Sequence, residues 1–162
     1  MYLRLTLPLL LAAAVPASAG QPQPAIDPLS FFAGRTEGEG TIKVIMRKPF
    51  RSRSTGQGRI ERDGSLTLVQ RVHEDNEPVK ERRWSVRKTG ANRFTATMSD
   101  ALGPMTIDKV GESFRFRFKL KGGLSAEQWM TPLADGKSAT NRMTVRKLGL
   151  IVATSTGTIR KI

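Results

Sequence analysis

Ser113-Phe114-Arg115-Phe116-Arg117-Phe118-Lys119-Leu120-Lys121 is the stretch whose pattern decides the architecture. Apolar Phe114, Phe116, Phe118 and Leu120 alternate with cationic Arg115, Arg117, Lys119 and Lys121. Successive side chains of a strand point to opposite faces, so this spacing gives one greasy face and one basic face. On a helix the same residues would be mixed around the axis. The segment reads as a half-buried β-strand, aromatic side in and basic side out.

Working outward, the same period of two returns in weaker form. Leu66, Leu68 and Val72 share a face across residues 65–74, and Trp84 and Val86 do so across 79–88. Ile42, Val44 and Met46 repeat it across 41–47, and Met143 and Val145 across 139–147. Turn signals separate these runs at Asp63-Gly64, Asp75-Asn76-Glu77-Pro78, Thr89-Gly90-Ala91-Asn92, residues 100–104, Gly122-Gly123 and Asp135-Gly136. Asp63-Gly64 between two strands predicts a two-residue primed hairpin turn. Nowhere after Thr36 do apolar residues recur at helical spacing. Earlier, Asp27-Pro28 has the form of an N-cap followed by proline at the first helical position. Leu29-Ser30-Phe31-Phe32 then supplies about one turn before Gly34 ends it.

The chain is therefore all-β: roughly eight to ten short antiparallel strands in a meander, after one short helical turn. Such a meander protects its edges most simply by closing into a single up-and-down barrel. A barrel of about eight strands has room inside for side chains or one small ligand.

The first residues have a different logic. Met1-Tyr2-Leu3-Arg4 carries one cation, residues 5–15 are apolar apart from Thr6 and Pro8, and Ala17-Ser18-Ala19 follows Pro16. This is the form of a secretory signal peptide with small residues at the cleavage site. The apolar run falls short of the about 20 residues that span a bilayer. Cleavage is expected after Ala19, leaving a linker at 20–28, a barrel domain at 29–162 and no transmembrane segment in the mature form. The protein is expected in the periplasm or secreted. The chain has no cysteine, so attachment of lipid to a leader cysteine, disulfides and thiol chemistry all drop out.

Net charge is +13, and loss of Arg4 with the leader leaves +12. In an exported protein this charge points to anionic lipid or an acidic ligand rather than nucleic acid. The alternation of Phe114, Phe116 and Phe118 with Arg115 and Arg117 also argues against a base-stacking platform, which needs rings and cations on one exposed face.

The opening Phe32-Ala33-Gly34-Arg35-Thr36-Glu37-Gly38-Glu39-Gly40, then Asp63-Gly64 and Arg83-Trp84, then Trp129-Met130, Asn141-Arg142-Met143 and Lys147-Leu148-Gly149 form an ordered set. In this order and at these distances the set resembles the bacterial domain-of-unknown-function family 3833 (DUF3833), from about Leu29 to the end. The motif positions are Gly34, Gly38, Gly40, Asn141, Arg142, Lys147 and Gly149. The resemblance implies a lipocalin-like (calycin-like) β-barrel of the cell envelope and supplies no activity, catalytic residue or cofactor.

The chemistry-bearing residues are few. His73 is the only histidine, on the polar side of its strand, with no nucleophile elbow anywhere in the chain. One histidine and no cysteine do not make a transition-metal site. Glu37 and Glu39 share a strand face but read as solvated, and Gly34, Gly38 and Gly40 lead into a strand rather than the helix a phosphate loop requires. No catalytic, metal or cofactor residue is assigned, and the protein is read as a non-enzyme. The expected function is binding of a small amphipathic or lipidic ligand with an acidic headgroup. Its cavity would be lined by Trp84, Phe114, Phe116, Phe118 and Trp129. Arg115, Arg117, Lys119 and Lys121 are the expected anion contacts. A packed barrel without a cavity, binding anionic envelope lipids, polymers or a protein partner through its basic surface, stays open beside it.

Overall fold

The computed structural model describes residues 26–162. The expected leader at 1–19, and residues 20–25 of the expected linker, lie outside the described residues. The described chain begins with helix α1 (Pro28–Phe32), set up locally as its sequence requires. Ser30 N donates to Asp27 Oδ1 at 2.8 Å and Asp27 N donates to Ser30 Oγ at 3.2 Å, a reciprocal capping box. Gly34 ends the turn at φ +91°, a value that a residue with a Cβ rarely takes. Ile26 packs on the core and Pro28 is buried.

Ten strands follow: β1 (Gly34–Val44), β2 (Phe50–Ile60), β3 (Leu66–Glu74), β4 (Lys80–Gly90) and β5 (Arg93–Met98). The second half is β6 (Ala101–Val110), β7 (Ser113–Leu120), β8 (Leu124–Pro132), β9 (Ser138–Lys147) and β10 (Leu150–Lys161). Each strand pairs antiparallel with the next, and β10 returns to β1 to close the barrel. All-next-neighbour pairing makes this the up-and-down barrel expected, without open sheet edges.

Two turns differ from their sequence reading. Gly64 N donates to Glu61 O at 3.0 Å, Glu61 N to Ser65 O at 2.8 Å, and among residues 61–65 only Gly64 has positive φ. This is a type I turn closed by a left-handed glycine, one residue longer than a primed two-residue turn. Residues 100–104 are a turn only at the start: Gly103 and Pro104 lie inside β6, where pairing with β7 shifts register between Leu102 and Thr106. Proline has no N–H for the ladder, so the strand bulges there instead of ending.

The alternation along β7 holds throughout: Phe114, Phe116 and Phe118 are buried, while Arg117 and Lys119 are exposed. Interior side chains are densest near α1, which packs on β2 and β3 where β2 ends and β3 begins. Phe31, Phe94, Met105, Ile107, Phe114 and Met130 are all nearly solvent-free. The Phe94 and Phe114 rings meet edge to face at 6.3 Å. This plug makes one end of the barrel a packed floor. Residues of the opposite end are those that frame a mouth.

Candidate functional site

Above the floor the barrel is not filled. A cavity of about 260 Å³ runs from Pro28 and Phe32 at the helix end to Ser52, Glu74, Arg82 and Asp100 at the far end. Its origin lies in β10, β1 and β2. Most of their inward positions are small, Ile42 and Ile159 being exceptions: Gly157 lies opposite Gly40, Gly40 opposite Ser52, and Gly38 opposite Ser54. A Cβ on Gly40 would stand 2.5 Å from the Thr156 carbonyl oxygen, and one on Gly157 would run into the Glu39 carbonyl. The facing wall carries large side chains, among them Leu68, Trp84, Phe116 and Phe118. A wall mostly of glycine and serine opposite a wall of long side chains leaves a slot between them.

The slot is apolar with a few polar groups. Trp84 Nε1 donates to Gln70 Oε1 at 3.3 Å, so that amide is used internally. Gln128 and Asn141 also line the space, and Asn141 Oδ1 is buried without a hydrogen-bond partner. An orphaned buried acceptor costs about 1–3 kcal/mol, so it marks a place where a donor belongs. At the mouth, Arg82 Nε is 2.7 Å from Asp100 Oδ2 and Lys80 Nζ is 3.3 Å from Glu74 Oε2. On this side of the opening the charges are thus paired with each other.

Trp84, Phe116 and Phe118 line the cavity. Phe114 points inward but belongs to the packed floor, edge-on to Phe94, rather than to the cavity wall. Trp129 requires a correction. It pairs in register with Arg115 and Arg142, while its neighbours Gln128 and Met130 take the inward positions. Its ring lies on the outer surface with the Arg115 guanidinium 5.6 Å from its centroid, and its Nε1 donates to Glu127 Oε1 at 3.0 Å.

The expected anion contacts also divide. Arg115 is stacked on Trp129. Arg117 Nη2 is 2.9 Å from Asp108 Oδ2, and Arg93 Nε is 2.8 Å from Asp108 Oδ1. The Arg93 hydrogen bond, seconded by Arg117, holds the Asp108 carboxyl below the usual carboxylate range against the opposing effect of burial. Lys119 and Lys121 are exposed at the open end. The four cations Arg115, Arg117, Lys119 and Lys121 therefore do not act as one surface.

Of the motif glycines, Gly38 and Gly40 belong to the thin wall, and Gly149, at φ +82°, turns the chain between β9 and β10. Asn141 faces the cavity, whereas Arg142 and Lys147 are exposed on the outside. His73, Glu37 and Glu39 are exposed too. Sequence reading names Gly38, Gly40 and Asn141 only as motif positions and does not place them in the cavity wall. The signal for the wall was present in β2, where Ser52, Ser54, Gly56 and Gly58 alternate with Arg51, Arg53, Thr55 and Gln57. That alternation is in size, and a search for hydrophobic periodicity passes over it.

Solved structures share this architecture. The S-type phycobiliprotein lyase CPES of Guillardia theta is 10% identical, with TM-score 0.63 over 80% of this chain and 88% of that one. Rv2717c of M. tuberculosis is 14% identical, with TM-score 0.61 over 86% and 98%. A DUF3598-family protein of unknown function from Nostoc punctiforme is 13% identical, with TM-score 0.60 over 89% of this chain and 53% of that one. At such identities the likeness is one of fold. No curated protein matches the sequence. The chain belongs to the family described as protein of unknown function DUF3833, whose model matches residues 9–161.

Proposed function

We propose that this DUF3833 barrel is a calyx of the cell envelope that binds one small amphipathic or lipidic ligand and performs no chemistry on it. The observation that carries the reading is the slot itself: a glycine-serine wall facing Trp84, Phe116 and Phe118 across about 260 Å³. That volume is just below the roughly 300 Å³ at which pockets for drug-sized molecules begin, which suits a slender ligand. Asn141 Oδ1 offers its polar part an unsatisfied acceptor inside. An acidic headgroup would stay at the mouth, beside exposed Lys119 and Lys121. The empty interior weighs against the packed-barrel alternative. The same barrel carries a lyase in Guillardia theta, so fold alone does not choose between binding and catalysis; here the exposed, outward His73, Glu37 and Glu39 favour binding. Residence in the envelope rests on the form of residues 1–19.

The test uses cis-parinaric acid, a slender conjugated fatty acid whose fluorescence rises in apolar surroundings and which takes up tryptophan emission. Saturable binding with energy transfer is expected, and Trp84→Phe should remove most of that transfer while Trp129→Phe removes less. The methyl ester should bind more weakly if the acid group is recognised. Ser155→Phe places a ring in the slot from the thin wall and should abolish binding without unfolding the barrel. Absence of saturable binding to the wild type, or full binding by Ser155→Phe, overturns the reading.

A further inference from the structure

The open end carries a second feature, separate from the cavity. Three hairpin ends lie side by side there, joining β7 to β8, β9 to β10, and β1 to β2. Leu124 of β8 pairs with Lys147 of β9, and Ile45 N donates to Val152 O of β10 at 2.9 Å, so the three form one continuous arc of the rim. Residues 43–51, 119–124 and 146–151 hold Lys or Arg at eight positions and no Asp or Glu. The rest of the same rim is different: residues 74–82 and 99–101 hold five acids and two cations. Charge at the open end is therefore sorted to one side.

Within the cationic arc, large apolar side chains stand exposed at the hairpin tips. Met46 is 99% exposed and Leu148 92%, with Ile45, Leu150 and Ile151 exposed beside them. Both tips also sit where local chemistry disfavours them. Met46 has φ +59° and Leu148 φ +50°, the left-handed region that Gly, Asn and Asp occupy most easily. The Leu148-Gly149 pair has positive φ at both central positions, the geometry of a type I′ turn, for which Asn-Gly is the favoured sequence. The β3–β4 hairpin meets the same demand with Asn76 at φ +64°. Neither burial nor turn geometry accounts for Met and Leu at these tips.

We infer that this arc docks the open end of the barrel on an anionic lipid bilayer, the Met46 and Leu148 side chains entering the interface while the surrounding Lys and Arg meet lipid phosphates. Apolar tips framed by cations are the chemistry by which peripheral proteins hold an anionic membrane. A second copy of this chain docked arc on arc fits poorly, because it would oppose eight cations to eight, with no carboxylate between them. The mouth of the cavity lies on the same end, so docking would bring a calyx opening to the lipid surface. The inference stands whether or not the cavity holds a ligand, since no tip residue lines it.

Co-sedimentation with vesicles tests it, using the purified protein with phosphatidylcholine vesicles and with mixed phosphatidylglycerol–phosphatidylcholine vesicles. Binding is expected to the mixed vesicles at low salt, to weaken as salt screens the charges, and to be at least about tenfold weaker on pure phosphatidylcholine. Met46→Asn with Leu148→Asn should lower binding by about tenfold or more while leaving the melting temperature unchanged or higher, because asparagine suits both backbone positions. Lys48→Glu with Lys147→Glu should lower it comparably. Ser155→Phe should bind vesicles like wild type, which separates this result from failure of the cavity reading. Equal binding to both vesicle types, no binding at low salt, or undiminished binding by the asparagine pair overturns the inference. So does sedimentation as a dimer that the asparagine pair dissociates, which would assign the arc to self-association.

Discussion

The two ends of the barrel are closed by the same device, short hairpins, yet they place their polar and apolar residues in opposite ways. At the helix end, acids make two of the turns. Asp63 Oδ1 accepts from Ser65 Oγ at 2.6 Å and Ser65 N at 3.0 Å; Asp135 Oδ1 accepts from Ser138 N at 2.8 Å and Lys137 N at 2.9 Å. Both carboxyls lie below their usual range, through hydrogen bonds led by Ser65 in one case and Ser138 in the other. Beneath them the interior is solid with Phe31, Phe94, Phe114 and Met130. At the open end the interior is a slot, and two tips carry Met46 and Leu148 where asparagine would sit more easily. One end follows local rules at every level, as a structural element does. The other breaks them in packing and in turn chemistry, and such departures are where function is to be sought.

The largest effect that sharpens this contrast is in stability. Phe114→Ala, in the packed floor, should cost about 3–5 kcal/mol in denaturant unfolding. Phe118→Ala, which borders the slot, should cost clearly less, about 2–3 kcal/mol, because a ring beside empty space has fewer contacts to lose. Equal costs would mean that the two ends are packed alike. Filling the slot reverses the sign. Ser155→Phe should leave the unfolding midpoint unchanged or raise it while removing ligand binding, and a large loss of stability would show that the thin wall is structural.

Acid titration gives a smaller effect, located on the outer wall toward the helix end. The Asp108 carboxyl is depressed in the folded state by Arg93 and Arg117. Its contribution is therefore complete above the unfolded value of about 3.9 and is lost as pH falls through the lower folded value. Asp108→Asn should lower stability at neutral pH and flatten that part of the acid limb; an unchanged limb contradicts the assignment. Smallest is the asparagine pair at the rim, Met46→Asn with Leu148→Asn, expected to raise stability by up to about 1 kcal/mol through relief at positive φ. A loss of stability would mean that these side chains pack on something in the folded chain.

Sequence made the barrel legible because β7 alternates strongly and glycine-bearing turns punctuate the rest. The helix cap was equally plain, since Asp27, Pro28 and Ser30 act within one turn. Strands such as β2 and β10 were harder to see: their inward residues are mostly Gly, Ser and Ile spread thinly, and their pairing partners supply the burial. Trp129 was misplaced for a related reason. In β8 both faces carry large residues, so a one-residue choice of register decides which faces in. The basic face of β7 was read correctly as outward, but its division between Asp108, Trp129 and solvent depends on β5, β6 and β8, which no local pattern discloses. The cavity was hardest of all, because it is made by side chains that are missing.

Native mass spectrometry of the protein purified gently from envelope fractions tests the central claim most directly. A slot that serves as a calyx should retain about one small amphipathic molecule per chain, released on denaturation and absent from Ser155→Phe prepared in the same way. Wild-type protein that emerges without any bound molecule, or with the same load as Ser155→Phe, would contradict it.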